Sequence, residues 1–334
     1  MMEKDFYTIW LSALAIRIAE KGLSAAELAE QLCLSESAFY KRKSGRMEFG
    51  AREMLFLSKL LDVPLSESEL SGQYLPFEVV NLPGQSFDAD LYIAGLGSVV
   101  EHYAKPEWNQ SARVRISTTD IPIFWLLAEP ALAAFKLFAF ETENVERIEE
   151  NFSLSHQLDR RADWITRAKQ VAEGYFSVAS EEVWGATPFR GILYQILYLA
   201  EARAMSIEDA KIIFESLTRL VGEIKNSSQK CEKVGGSSFS LSQNQFHSTA
   251  SIISVKSPER EEVFVTFDNP NFVRSSSPST CAYFDAYFER VQRSATRVNG
   301  RGVYSGRRFE QEILARIERT KDKVLRRLSV ADGI

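Results

Sequence analysis

The chain has 334 residues, 45 % hydrophobic and 25 % charged, a length suited to two or three domains rather than one small module. Forty Lys and Arg against 45 Asp and Glu leave a net charge of −5, so a polyanion partner has no support from the whole-chain balance and needs a local basic patch. Cys33, Cys231 and Cys281 form no CxxC pair and MMEKDFYTIW has no secretory-signal pattern, which together point to a reducing cytoplasm and no disulfide framework.

Short helical patterns fill residues 6 to about 70. Phe6 to Glu20 carries a broad apolar stripe that includes Trp10, Leu14 and Ile16. Leu23 to Leu32 follows, with Ser24 and Glu27 at the spacing of a capping box. Ser35 offers the next cap, Phe39 an inward anchor, and Gly45 the stop. Ala51 to Leu61 is expected to bury Met54, Leu55, Leu57, Leu60 and Leu61 before Pro64 ends it.

Within this stretch, LSAAELAEQLCLSESAFYKRKSG has the small residue at a helix crossing, Ala29, and the tight turn, Cys33 to Ser35, of a helix-turn-helix. It resembles the lambda-repressor-like, Cro/C1-type (xenobiotic-response-element) family, and the likeness continues from Arg52 to Leu70, about one fifth of the protein in all. That resemblance implies a recognition helix from Ser35 to Ser44 in the major groove of double-stranded DNA, in a homodimer. It implies base contacts from Glu36, Ser37 and Lys41, with Tyr40 at the edge. Arg17 and Ser24 before the helix, and Lys43, Ser44, Arg46 and Arg52 at and beyond its end, would contact phosphate, and Arg42 would extend outward toward it. Cys33 stands where the family has a left-handed glycine. Residues 1–70 hold nine basic and eleven acidic residues, yet KRKSGR, Lys41 to Arg46, holds four positive and no negative ones. Strong binding from so local a patch requires contacts summed over two copies. A head that keeps this fold but binds another protein is the alternative.

From about residue 86 to 226 the sequence reads as a central all-α domain, for dimerisation or regulation. Ile121 to Phe140 has the 20 residues of a bilayer span. Glu129, Pro130 and Lys136 interrupt it, and a charge at mid-membrane costs at least about 2.5–3.5 kcal/mol; two buried helical segments meeting at a bend are expected, with no membrane role. NSSQKCEKVGGSS, Asn226 to Ser238, reads as a domain boundary.

Beyond it, ASIISVKS and EEVFVTFD read as a β-hairpin followed by two helices. The predicted fold class is therefore mainly α: a helix-turn-helix domain over 1–72, the helical domain over 86–226, and a small α+β sensor domain over 237–334. Glycines and arginines in RVNGRGVYSGRR nominate Arg301, Arg307 and Arg308 as an effector site for an anionic group. Phe309, Ile313, Ile317, Val324 and Leu328 form an apolar stripe on the last helix, for packing or self-association. The histidines, His102, His156 and His247, have no companions at metal-ligand spacing. The expectation is a cytoplasmic transcription regulator with no catalytic constellation, no cofactor and no metal, under possible control by a small-molecule or protein effector.

Overall fold

A computed structural model describes residues 6–65, 75–79, 87–100, 111–142, 150–245, 251–258, 260–268, 271–300 and 304–329. It divides into two compact units, Met1–Pro76 and Phe77–Ile334.

The first unit consists of α1 (Phe6–Glu20), α2 (Ala25–Gln31), α3 (Glu36–Lys43) and α4 (Ala51–Leu61). The start of α2 is closed by Ser24 and Glu27 together: the Ser24 hydroxyl accepts from Glu27 N, and the Glu27 carboxylate accepts from Ser24 N at 2.7 Å. This satisfies two of the amide donors that a helix start leaves open. Ser35 caps α3 by accepting from Ala38 N. Gly45 turns the chain out of α3 with φ +75°, and Gly50 N donates to Glu53 at the start of α4. One apolar core joins the helices through Trp10, Leu14 and Ile18 of α1, Leu28 and Ala29 of α2, Phe39 of α3, and Leu57 and Leu61 of α4, with Phe49 between the rings of Trp10 and Phe39. Ile16 and Leu55, expected in that core, are 59 % and 51 % exposed. Each lies on the solvent side of its helix, because a ten-residue core needs only a narrow stripe from α1 and α4.

The second unit is built on a single eight-stranded mixed sheet. Its strands are β1 (Glu78–Val79), β2 (Arg113–Thr118), β3 (Ala179–Trp184), β4 (Phe239–Gln243), β5 (Ile252–Lys256), β6 (Glu261–Asp268), β7 (Asn271–Ser275) and β8 (Thr296–Arg297), ordered β1-β7-β6-β5-β2-β3-β4-β8. β2, β3 and β4 are parallel, whereas β5, β6, β7 and β1 continue from β2 as antiparallel neighbours. The helices are α5 (Ala89–Val100), α6 (Ile123–Leu127), α7 (Pro130–Thr142), α8 (Leu154–Arg160), α9 (Ala162–Ser177), α10 (Arg190–Glu201), α11 (Ile207–Lys230), α12 (Pro278–Arg293) and α13 (Tyr304–Ser329).

Strand alternation assigns the two faces of this sheet. Val114 and Ile116 of β2, Trp184 of β3, and Phe239 and Leu241 of β4 enter the large core shared with α5–α11 and α13. On the opposite face Val183 meets Phe288 and Val291 of α12, and Arg115 reaches Glu181, Asp285 and Glu289 at 2.8–3.3 Å.

This sheet overturns the predicted fold class. β2 and β3 come from the stretch read as a central all-α domain and pair with β4 and β5 from the stretch read as a separate α+β domain. The expected β5–β6 hairpin is present, in the register Ile252↔Val265, but inside the larger sheet. The supposed boundary at Asn226–Ser238 is largely at the surface, with Val234 73 % exposed, yet it is tied into the unit: Lys233 is 3 % exposed and donates to the carbonyls of Tyr175 and Val178 at 2.9 and 2.8 Å, and Ser237 donates to the carbonyl of Phe176. Lys233 and Ser237 thereby satisfy carbonyls at the end of α9. α6 and α7 form the expected pair of buried segments, with Pro130 opening α7. Among the described residues no helix is long and apolar enough to cross a membrane. The stripe Phe309, Ile313, Ile317, Val324 and Leu328 is buried in the unit's own core.

Candidate functional site

α3 is held from below and open above. Phe39 is fully buried, while Glu36, Ser37, Tyr40 and Lys41 are exposed. The α2–α3 turn passes through Cys33 at φ 56°, the left-handed conformation a side chain adopts at a penalty of roughly 1–2 kcal/mol. Leu34 N donates back to Ala29 O at 2.8 Å, and Ala29, 2 % exposed, lets the two helices approach.

The basic residues near this face divide into engaged and free. Arg42 does not extend outward: its Nε donates to Glu53 Oε2 at 3.0 Å with both side chains largely buried, tying α3 to α4. Its partner Glu53 already caps α4, so a charge-assisted bond inside the fold outcompetes a solvent-facing conformation for Arg42. Arg17 pairs with Glu20 at 2.9 Å, and the Ser24 hydroxyl is committed to the α2 cap. Ser44 is exposed, with its hydroxyl on Lys41 O at 3.1 Å. Lys41, Arg46 and Arg52 are exposed and Lys43 is half-buried. Among the described residues, none of these four is in an ion pair.

The residues nominated for an effector do not converge. Arg301 lies outside the described residues. Arg308 is exposed and paired with Glu312 at 2.7 Å. Arg307 borders a cavity of about 240 Å³ that also touches Lys225, Ser228 and Glu310; there Lys225 and Glu310 are already paired at 2.8 Å.

A larger cavity, about 520 Å³, went unnoticed in the sequence. It lies at the carboxyl end of β2, walled by Tyr92 and Leu96 of α5, Phe140 of α7, Phe264 of β6 and Phe272 of β7. Asp120 lies at its polar end, accepting from Ile121 N at 2.8 Å and from Gly191 N, at the start of α10, at 2.6 Å. A Cβ on residue 191 would sit 2.5 Å from that carboxylate, so glycine there is what admits Asp120. Burial raises the Asp120 pKa above the usual carboxylate value, opposed by these amides and by the Lys136 charge. Lys136, 4 % exposed, donates to Gln195 Oε1 at 2.7 Å and lies 4.3 Å over the Phe140 ring. The nearby hydroxyls of Thr118 and Ser251 are 2.7 Å apart. The signal for this site was Lys136 within the apolar run Ala131–Phe140: a buried ammonium needs partners, and those partners point to a polar recess.

A second buried polar cluster has no comparable space. Glu182 accepts from Ser180 Oγ and Trp184 Nε1, both at 2.8 Å, and from the Tyr175 hydroxyl. Lys233 lies 3.6 Å over the Tyr175 ring. Cys281 is buried, its thiol pushed up to about 12 mainly by burial, which opposes thiolate chemistry at neutral pH. Among the described residues no group of three or more His, Cys, Asp or Glu could hold a metal ion. No family model, no curated protein and no solved structure matches the chain.

Proposed function

We propose that residues 6–63 are the sequence-specific DNA-binding head of a transcription regulator that works as a homodimer. In this reading α3 enters the major groove, with Glu36, Ser37 and Lys41 toward base edges and Tyr40 beside them. Lys43, Ser44, Arg46 and Arg52 approach phosphates; Arg42 is a fold contact and is left out of that set. The observation carrying the proposal is the uncompensated cluster of Lys41, Lys43 and Arg46 beside the exposed face of an otherwise anchored helix. The simpler arrangement, cations complementing the C-terminal dipole of their own helix, leaves Arg46 unexplained, since α3 ends at Lys43. The resemblance to lambda-repressor-like heads supports the same reading.

Selection from a pool of genomic fragments, followed by mobility shifts at two salt concentrations, tests it. Binding should weaken steeply with salt, by a slope near −0.9 per phosphate contact. The Lys41→Ala/Arg46→Ala double variant should lose Arg46's share of that slope and, through Lys41, about 1–3 kcal/mol of base discrimination. A salt-independent shift, or one unchanged in the double variant, refutes the assignment. A second reading, a head that binds protein, is favoured by the net acidic balance of residues 1–70 and by the exposed Leu55 and Phe56, 51 % and 39 % accessible. It predicts no selected DNA at any salt concentration.

A further inference from the structure

The cavity at the end of β2 lies where the strand direction changes. β2 has parallel β3 on one side and antiparallel β5 on the other, and the cavity lies outside the carboxyl end of β2, the end at which open α/β sheets bind ligands. At about 520 Å³ it falls within the ~300–1,000 Å³ range of small-molecule sites. Two fully interior polar side chains, Thr118 and Lys136, are 2 % and 4 % exposed and line it. The remaining wall is largely aromatic and aliphatic, with Phe140, Phe264 and Phe272 prominent.

Charge decides the class of occupant. Among the described lining residues Asp120 is the acid and Lys136 the base, one charge of each sign. Each already has hydrogen-bond partners inside the fold: two backbone amides for Asp120 and the Gln195 carbonyl for Lys136. An ionised ligand would bring a further charge into an apolar enclosure without a dedicated counter-charge, a heavily penalised transfer. A ligand with an apolar body and a hydroxyl or carbonyl head meets no such penalty. The hydroxyls of Thr118 and Ser251, which bond each other at 2.7 Å, retain donor and acceptor capacity for that head.

We propose that this cavity is a binding site for an uncharged, mainly apolar small molecule, its ring or chain against Phe140, Phe264 and Phe272 and its polar head toward Thr118 and Ser251. Binding stands by itself; only its role as the effector of DNA occupancy rests on the function proposed above.

Two fluorescent probes of one aromatic body test the site on the full chain: neutral N-phenyl-1-naphthylamine, and 1-anilinonaphthalene-8-sulfonate, which adds a fixed negative charge. The neutral probe should bind saturably with one equivalent per chain, about tenfold or more tighter than the sulfonate. Thr266→Trp and Ile253→Trp, substitutions at partly exposed positions on the cavity wall, should abolish that binding while retaining the wild-type circular dichroism spectrum. Arg307→Ala, beside the other cavity, should leave it unchanged. Hydrogen exchange on the wild type localises the probe without any variant: slowed amides in β2, β5 and β6 support the proposal. Slowing confined to α11 and α13 overturns it, as do absent saturable binding, equal affinity for the sulfonate, or binding retained in both folded tryptophan variants. Probe binding without any DNA shift removes the regulator reading and leaves this site; a DNA shift without probe binding removes the site alone.

Discussion

Among the described residues of the four-helix head every buried side chain is apolar, from Trp10 to Val63. In the sheet-based unit Lys136, Arg161, Glu182, Lys233 and Glu262 are all less than 5 % exposed. The difference follows from how each unit closes its backbone. Short helices with Ser24, Ser35 and Gly50 at their starts complete their hydrogen bonds at the surface, so no polar side chain is drawn into the head's core. Long crossovers between parallel strands leave helix ends inside the protein, where charged side chains must reach them, as Lys233 does at the end of α9.

The sharpest way to break this comparison is to remove an interior acceptor. Glu182→Ala leaves the Tyr175 and Trp184 donors and the Lys233 charge without their common carboxylate, and should destabilise the second unit by about 3–5 kcal/mol in urea unfolding. Glu182→Gln keeps an acceptor oxygen and should be milder. A loss below about 1 kcal/mol for the alanine variant would show that this polarity is dispensable.

A pH series tests the same cluster through Lys233. Burial pushes its ammonium down to about 7, with Glu182 opposing the shift. In the unfolded chain a lysine keeps its proton to about pH 10.4. Between those values the unfolded state binds more protons, so Lys233 makes stability rise with pH by at most about 1.4 kcal/mol per unit. Urea midpoints across this window should lose that slope in Lys233→Met; a slope retained in the variant would assign it elsewhere.

Effects in the head are smaller and local. Ser24→Ala removes one side of the capping box and should reduce the head's stability by about 1 kcal/mol. Cys33→Gly relieves a left-handed side chain at φ 56° and, after the added entropy of glycine in the unfolded chain, should stabilise the head by at most about 1 kcal/mol in thermal melts. Destabilisation by Cys33→Gly would show that the thiol contributes packing its exposed position does not suggest.

Legibility differed in the same way. The bounds of α1–α4 and the Ser24–Glu27 box follow from neighbours within a turn or two, and the exposed α3 face could be anticipated residue by residue. Arg42 could not, because its partner Glu53 belongs to the next helix. RVRIST of β2 carries an alternating pattern that six residues between long helical patterns did not separate from a loop. ASEEVW of β3 conceals its inner face altogether, since Ser180, Glu182 and Trp184 point into the core and two of them are polar.

Local pattern thus determined the helices of the head, the caps that start them, the basic run Lys41 to Arg46 and the β5–β6 hairpin. Each depends on residues close along the chain, where side-chain spacing and amide satisfaction are set before any distant contact forms. Tertiary structure alone decided that the rest is one sheet, that Lys233 and Ser237 close the end of α9, and that Asp120 and Lys136 share a cavity. The physical reason is distance along the chain: β2 bonds to β3 across 66 positions, and Thr118 meets Ser251 across 133. At such separations the identity of a strand's neighbour is settled by which faces bury together, a quantity no local window contains.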